Sequence, residues 1–324
     1  MKSAQLKDLK VKITETEKPV LNGRGAIIKV LGCGLCGSDI VKIKHASKEN
    51  ESSIKLGHEV VGEIVEIDTE TPYKKGDIVV MGHHYPCFNC DFCRIGAFSM
   101  CETFKKSNIE PCGFSEFIKV DENHLKYTVY KVPNNLTYEE AAFLEPLACV
   151  VRAIRRAGYN LKNDNTASNA LVLGLGSIGF ITAQALKAFK VKAYGYDINK
   201  ERTKLASKFN IEYKKDIYDT VFMTSGSSKA IPTALEHIRN GGKIVIFSSI
   251  ENEDGYKNND IYYRELSIIA SYSPSPEDYK ISYELLCSGK VNVKNISTIY
   301  TLDNLAGAVE DNICGKIFKA YIKI

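Results

Sequence analysis

No apolar run in the 324-residue sequence approaches the length of a membrane span, which argues against a bilayer role. A charge excess is missing too. The 43 basic and 39 acidic side chains leave a formal charge of +4, too little at this length to argue for nucleic acid or an anionic membrane as partner. The opening MKSAQLKDLKVKI has no apolar signal core and no cleavage site, so the expected location is the cytoplasm. Internal repeats and low-complexity linkers are also lacking. What is present is 44% apolar and 25% charged residues, the balance of a soluble globular protein, on a chain longer than one core usually needs. Two domains are therefore expected. Ten cysteines are the unusual feature. In a reducing compartment they point to metal binding or chemistry before disulfides.

The first 130 or so residues carry short β-branched runs broken by glycine, at 25–30, 60–67, 77–81 and 117–120, and read as a mostly antiparallel β domain. From Tyr138 to Ala157 the apolar spacing becomes helical, predicting one or two helices. Strand-like runs at 170–174, 191–196, 220–224, 243–248 and 266–271 then alternate with helical segments, one of them expected over 230–239 and the last over 276–288. Short connections between alternating strands and helices mark an α/β unit with a doubly wound parallel sheet. Strand-like pieces return at 297–300 and 317–323.

Gly174-Leu-Gly176-Ser177-Ile178-Gly179 directly follows one of these strands and opens a helix. The first glycine permits a tight turn, the second lets the backbone approach a pyrophosphate, and the third allows close packing of helix on strand. Phosphates would sit on the helix N-terminus. Asp197 ends the next strand, where a carboxylate accepts ribose hydroxyls and repels a 2′-phosphate, favouring NAD over NADP. Lys200 and Arg202 lie just beyond and weigh on the other side.

Cys87, Cys90, Cys93 and Cys101 form C-x2-C-x2-C-x7-C. Four thiolates so spaced wrap one tetrahedral Zn²⁺ and leave no position for a substrate, so this zinc should be structural. The interior of the motif holds one basic residue and an exposed acid, which speaks against a nucleic-acid-binding zinc ribbon. A second set is more dispersed: Cys36 in Cys-Gly-Ser38-Asp39, and His58-Glu59 after Gly57. A thiolate, an imidazole and a carboxylate make an open mixed site suited to a catalytic zinc.

These motifs, with Glu145-Pro-Leu147, occur in an order that resembles the zinc-dependent medium-chain alcohol and polyol dehydrogenases over essentially the whole chain. The resemblance implies a GroES-like β-barrel catalytic domain over 1–146, a Rossmann dinucleotide-binding domain over 147–289, and a return to the catalytic domain over 290–324. It implies that Cys36 and His58 ligate zinc, that Glu59 ligates or exchanges with a ligand, and that Glu145 ligates directly or through water. Glu145 in place of a cysteine is nearer the polyol and threonine dehydrogenase branches. Asp39 would hold the second nitrogen of His58, and Ser38 would take the alcohol proton. Arg202, Phe247 and Ser248 match cofactor-contacting positions. The implied partners are NAD, a small alcohol or carbonyl substrate and a second copy of the chain, as homodimer or homotetramer, through the edge strand near 266–272.

The sequence also departs from this family. Many relatives carry a relay histidine where Val41 stands, and His45 could substitute only if the loop bends back. Lys42 and Ser273 stand near the positions where sorbitol dehydrogenases place a substrate-contacting tyrosine and arginine, so the resemblance does not single out sorbitol as substrate. Cys33, Cys112, Cys149, Cys287 and Cys314 have no spacing that predicts a site. A different function, that of a zinc-stabilised NAD(H)-binding sensor without turnover, would leave the open Cys-His-Glu set unexplained.

Overall fold

The computed structural model describes residues 1–250 and 255–324, which divide into two compact units. The first comprises Met1–Pro146, Ser275–Tyr283 and Val293–Ile324, and the second Leu147–Pro274 and Glu284–Asn292.

The first unit is built around the strand Gly25–Gly34, buried along nearly its whole length. Register shifts between Ile27 and Ile28 and between Val30 and Gly32 bend this strand, as bulges do, so that it meets several partners. Glu59–Asp68 pairs antiparallel along it, Phe117–Asp121 along its first half, and Lys319–Lys323 along its end. Ile78–Met81 and Val129–Lys131 extend the sheet on one side, and Ser297–Thr301 closes the other in parallel with Lys319–Lys323. Ala26, Ile28, Val30, Val60, Ile64, Val79 and Ile118 fill the core.

A hairpin, Lys2–Lys7 against Lys10–Glu15, precedes this sheet; its turn residues Asp8 and Leu9 have φ of 56° and 60°. The sequence pattern did not reveal it, because lysines occupy so many of its positions that the period of two is masked. The unit also takes Ser275–Tyr283, which the expected boundaries placed with the nucleotide domain. Ser282 Oγ donates to Leu144 O at 2.9 Å, Tyr283 OH donates to Lys131 O at 2.9 Å, and the Tyr279 ring lies where a Cβ on Gly82 would be.

The second unit is a parallel sheet in the order Ser267–Ala270, Ile238–Ile246, Tyr218–Met223, Asn169–Leu173, Lys192–Tyr196. The strand order reverses beside Asn169–Leu173, and in such sheets the ligand crevice opens at the carboxyl ends next to the reversal. One predicted helix is shorter than expected. Ala230–His237 stops before Ile238, which already belongs to the next strand. The Arg264 guanidinium donates to Leu235 O at 2.8 Å and also to Ile238 O, so it caps the helix end from another part of the chain.

Candidate active site

Strand register assembles the first cluster. Gly34 pairs with Glu59, so Cys36, two residues past the end of one strand, lies opposite His58, one residue before the start of the other. Asp39, fully buried in the first turn of the helix Gly37–Lys44, ties the two loops together: its carboxylate accepts from Cys36 N at 3.1 Å and from Gly57 N at 3.0 Å. The ligating atoms of Cys36, His58 and Glu59 then lie within 4.8 Å of one another. A thiolate, an imidazole and a carboxylate so placed fit a zinc ion of open coordination.

Two features of the cluster differ from the sequence expectation. Asp39 Oδ1 is 3.6 Å from His58 Nδ1, beyond hydrogen-bond length, while each Asp39 oxygen accepts one backbone N–H. The contact is electrostatic. Burial opposes charge on His58, yet Asp39 and the Cys36 sulfur hold the imidazole well above its ordinary pKa. The second difference is Lys319, which no motif pointed to. Its ammonium is buried, 2.7 Å from Glu59 Oε1 and 2.5 Å from Oε2, so Glu59 is already paired. Against the cost of burial, Glu59 first, with Cys36 and Glu145 also contributing, raises the pKa of Lys319. Lys319 thus pairs with Glu59 and lies within the field of Cys36 and Glu145, donors that suit a divalent cation. Gly34 makes room: a Cβ there would stand 1.8 Å from Glu59 Oε2.

Glu145 is buried in the first turn of the helix Leu144–Arg156, within electrostatic reach of Lys319. Ser38 is exposed at the start of its helix. His45 lies just past the end of that same helix, which runs unbroken to Lys44, so seven residues separate it from Ser38 by about 10 Å of helical rise. The helix does not bend back to carry His45 toward Ser38.

A run of imidazoles that the sequence reading passed over borders the cluster. The His83 ring packs 4.7 Å from that of His58 and 4.1 Å from that of His84, which in turn lies 5.0 Å from Phe104. His84 Nδ1 bonds the carbonyl of Ser107, which makes that nitrogen the donor. Burial, with His124 and His58 nearby, pulls His84 down to about 3, so the ring is neutral near pH 7. His83 Nδ1 is buried with no hydrogen-bond partner. Adjacent histidines after a strand were the available signal, but they match no ligand spacing.

The four-cysteine lobe is a separate small structure with its own core of Cys93, Cys101 and Phe104. Sulfur separations of 3.6 Å for Cys90–Cys93 and 4.0 Å for Cys87–Cys93 bracket the edge of a tetrahedron with Zn–S bonds of about 2.3 Å, which is about 3.8 Å. All four sulfurs lie within 4.8 Å of one another. Burial pushes Cys93 up to about 12, while the N–H groups of Cys87 and Phe104 outweigh burial and draw Cys101 down to about 6. The donor set fits a closed zinc site.

In the second unit Gly174 has φ of 97° and opens the turn after Asn169–Leu173, and Gly176 caps the helix Ser177–Ala188. A Cβ on Gly179 would stand 1.7 Å from Gly174 O, so only glycine permits this approach of helix to turn. Asp197 accepts from Leu175 N at 2.6 Å and from Asn199 N at 2.7 Å, and lies 3.6 Å from the Arg202 guanidinium. The carboxylate thus braces the glycine turn as well as standing where a ribose is expected. Phe247 N donates to Met223 O at 3.1 Å and Ser248 Oγ to Thr224 O at 3.1 Å, which places both residues at the carboxyl end of the sheet.

Comparison with known proteins bears on both units. The alcohol dehydrogenase GroES-like domain matches residues 23–134 and the zinc-binding dehydrogenase domain matches residues 177–288. D-xylulose reductase A of Aspergillus oryzae is 27% identical over 347 aligned positions, 97% of this chain and 93% of its own. D-arabitol-phosphate dehydrogenase of Enterococcus avium is 28% identical, over 84% of this chain and 82% of its own. Galactitol-1-phosphate dehydrogenase from Escherichia coli superposes with a TM-score of 0.85 over the whole of both chains at 23% identity, a likeness that shows the fold. A GroES-like unit with a mixed thiolate site and a parallel nucleotide-binding sheet define a class, the zinc-dependent nicotinamide oxidoreductases. Within it, the chain belongs to the zinc-dependent medium-chain dehydrogenase family, in its alcohol and polyol dehydrogenase branch.

Proposed function

We propose that the chain oxidises a polyol, or reduces the corresponding ketose, with NAD, and that Cys36 and His58 hold the catalytic zinc with Glu59 and Glu145 as its nearby carboxylates. The observation that carries this reading is the Cys36–His58–Glu59 donor set, drawn within 4.8 Å by one strand register and one buried aspartate. The names of the sequence relatives, a xylulose reductase and an arabitol-phosphate dehydrogenase, favour a polyol over a simple alcohol.

A zinc ion there supplies Lewis-acid stabilisation of charge on the substrate oxygen, and the nicotinamide supplies the hydride acceptor. The chain's residues do the rest. Asp39 fixes the spacing of the Cys36 and His58 loops through the backbone N–H groups of Cys36 and Gly57. Lys319 offsets Glu59, so that a buried carboxylate is tolerated beside a thiolate. Ser38, exposed at its helix start, takes the alcohol proton and passes it outward. Gly174, Gly176 and Gly179, with Ser177 and Ile178, cradle the pyrophosphate on the helix N-terminus, and Asp197 selects NAD over NADP, with Arg202, Phe247 and Ser248 as further cofactor contacts.

Metal analysis with a substrate panel tests this. About two zinc per chain are expected, with polyol-dependent absorbance at 340 nm from NAD that is lost in Cys36→Ala. Protein carrying both zincs that reduces neither NAD nor NADP with any polyol or secondary alcohol would refute it.

A further inference from the structure

The cluster has one cation near it that the chemistry above does not use. Lys42 lies on the helix Gly37–Lys44, one turn beyond Asp39 and on the same face. Its Nζ donates to Lys55 O at 3.0 Å, three residues before His58, which holds the ammonium where the loop enters the cluster. That is one of its three donors, and the side chain is exposed.

The neighbouring carboxylates are engaged elsewhere. Asp39 accepts from backbone N–H groups and Glu59 pairs with Lys319. Glu110 lies 3.4 Å from Lys119 and 4.0 Å from Lys55. Among the described residues no carboxylate comes within ion-pair distance of Lys42. His83, whose ring packs on that of His58, has its Nδ1 buried without a hydrogen-bond partner.

A neutral polyol offers hydroxyls at every carbon and gains little from an unpaired ammonium. A dianion gains much more, since charge-assisted hydrogen bonds are roughly twice as strong as neutral ones. Lys42 follows Cys36 by six residues, about 9 Å along the helix, a span on the order of a sugar alcohol bearing a terminal phosphate. We propose that the substrate is a polyol phosphate, whose phosphate is received by Lys42 while His83 Nδ1 bonds a hydroxyl near the reacting carbon. This rests on the polyol dehydrogenase reading and narrows it.

The test compares D-arabitol and xylitol, each as the free polyol and as the 5-phosphate, with the matching aldonates as a second anion. Binding to the zinc-loaded enzyme is measured by calorimetry, separately from turnover. The phosphate esters should bind at least about tenfold tighter than the free polyols, and raising the salt should shrink that preference. Lys42→Gln should remove the preference and Lys42→Arg should keep it. His83→Phe should weaken ester and free polyol alike. Equal binding of ester and polyol, or a preference untouched in a folded Lys42→Gln, would overturn the assignment, and tighter binding of the aldonates would overturn the choice of phosphate. Esters that bind with the Lys42-dependent preference but are never oxidised would uphold the anion site and sink the dehydrogenase reading. Free polyols oxidised as efficiently as their esters would do the reverse.

Discussion

Lys319 and Glu59 form a buried pair across 260 residues of sequence. Removing one partner of such a pair leaves an uncompensated charge and typically costs about 3–5 kcal/mol. Lys319→Met should therefore lower stability by several kcal/mol in metal-free protein, read as the midpoint of urea denaturation. The loss should be smaller with zinc bound, because the released carboxylate gains a cation to face. A loss equal with and without zinc would show that the cluster does not hold the metal. His84 gives a pH prediction. Its folded pKa of about 3 lies below the ordinary 6.5, so between those values the unfolded chain binds the extra proton and the folded one does not. Stability is then fully present above about pH 6.5 and declines as pH falls toward 3. His84→Gln should flatten that acid limb in a denaturation series, and an unchanged slope would contradict the assignment.

At the scale of elements, the four-cysteine lobe has only Cys93, Cys101 and Phe104 as its own core, with Cys90 and Phe98 packed against it. So small a core needs its metal. Chelation should open residues 87–106 to limited proteolysis while the strand Gly25–Gly34 and its partners stay protected, since binding free energy is folding free energy in such lobes. Cys93→Ser should give the same cleavage pattern without chelator. Cutting that begins elsewhere would count against a structural zinc. This lobe was legible in the sequence because all four ligands fall within fifteen residues and spacing alone defines a tetrahedron. The five parallel strands were legible for a similar reason: each is a local apolar run with a helix after it. Lys319 was not, since its meaning comes from pairing of Lys319–Lys323 with Gly25–Gly34, and nothing local to either segment encodes that pairing. The length of the Asp39–His58 contact was likewise not legible, because the sequence does not say that the carboxylate also serves two backbone N–H groups.

For the whole molecule, the edge of the parallel sheet matters most. Ser267–Ala270 pairs only with Ile238–Ile246 among the described residues, and Ile268 is 37% exposed. Such an edge is a template for another strand. A second copy of the chain is the expected cover, and light scattering should find a dimer or a multiple of it. Ile268→Lys should shift the population toward monomer without unfolding the sheet; if the native chain is already a monomer at micromolar concentration, this edge is protected in some other way.

The first unit draws on residues from both ends of the sequence, and the buried lysine that faces Glu59 comes from its last strand. During synthesis, Cys36, His58 and Glu59 leave the ribosome long before Lys319. Until the last strand pairs with Gly25–Gly34, Glu59 has no Lys319 to face. The cluster's charge balance is therefore completed only when the last residues of the first unit are in place.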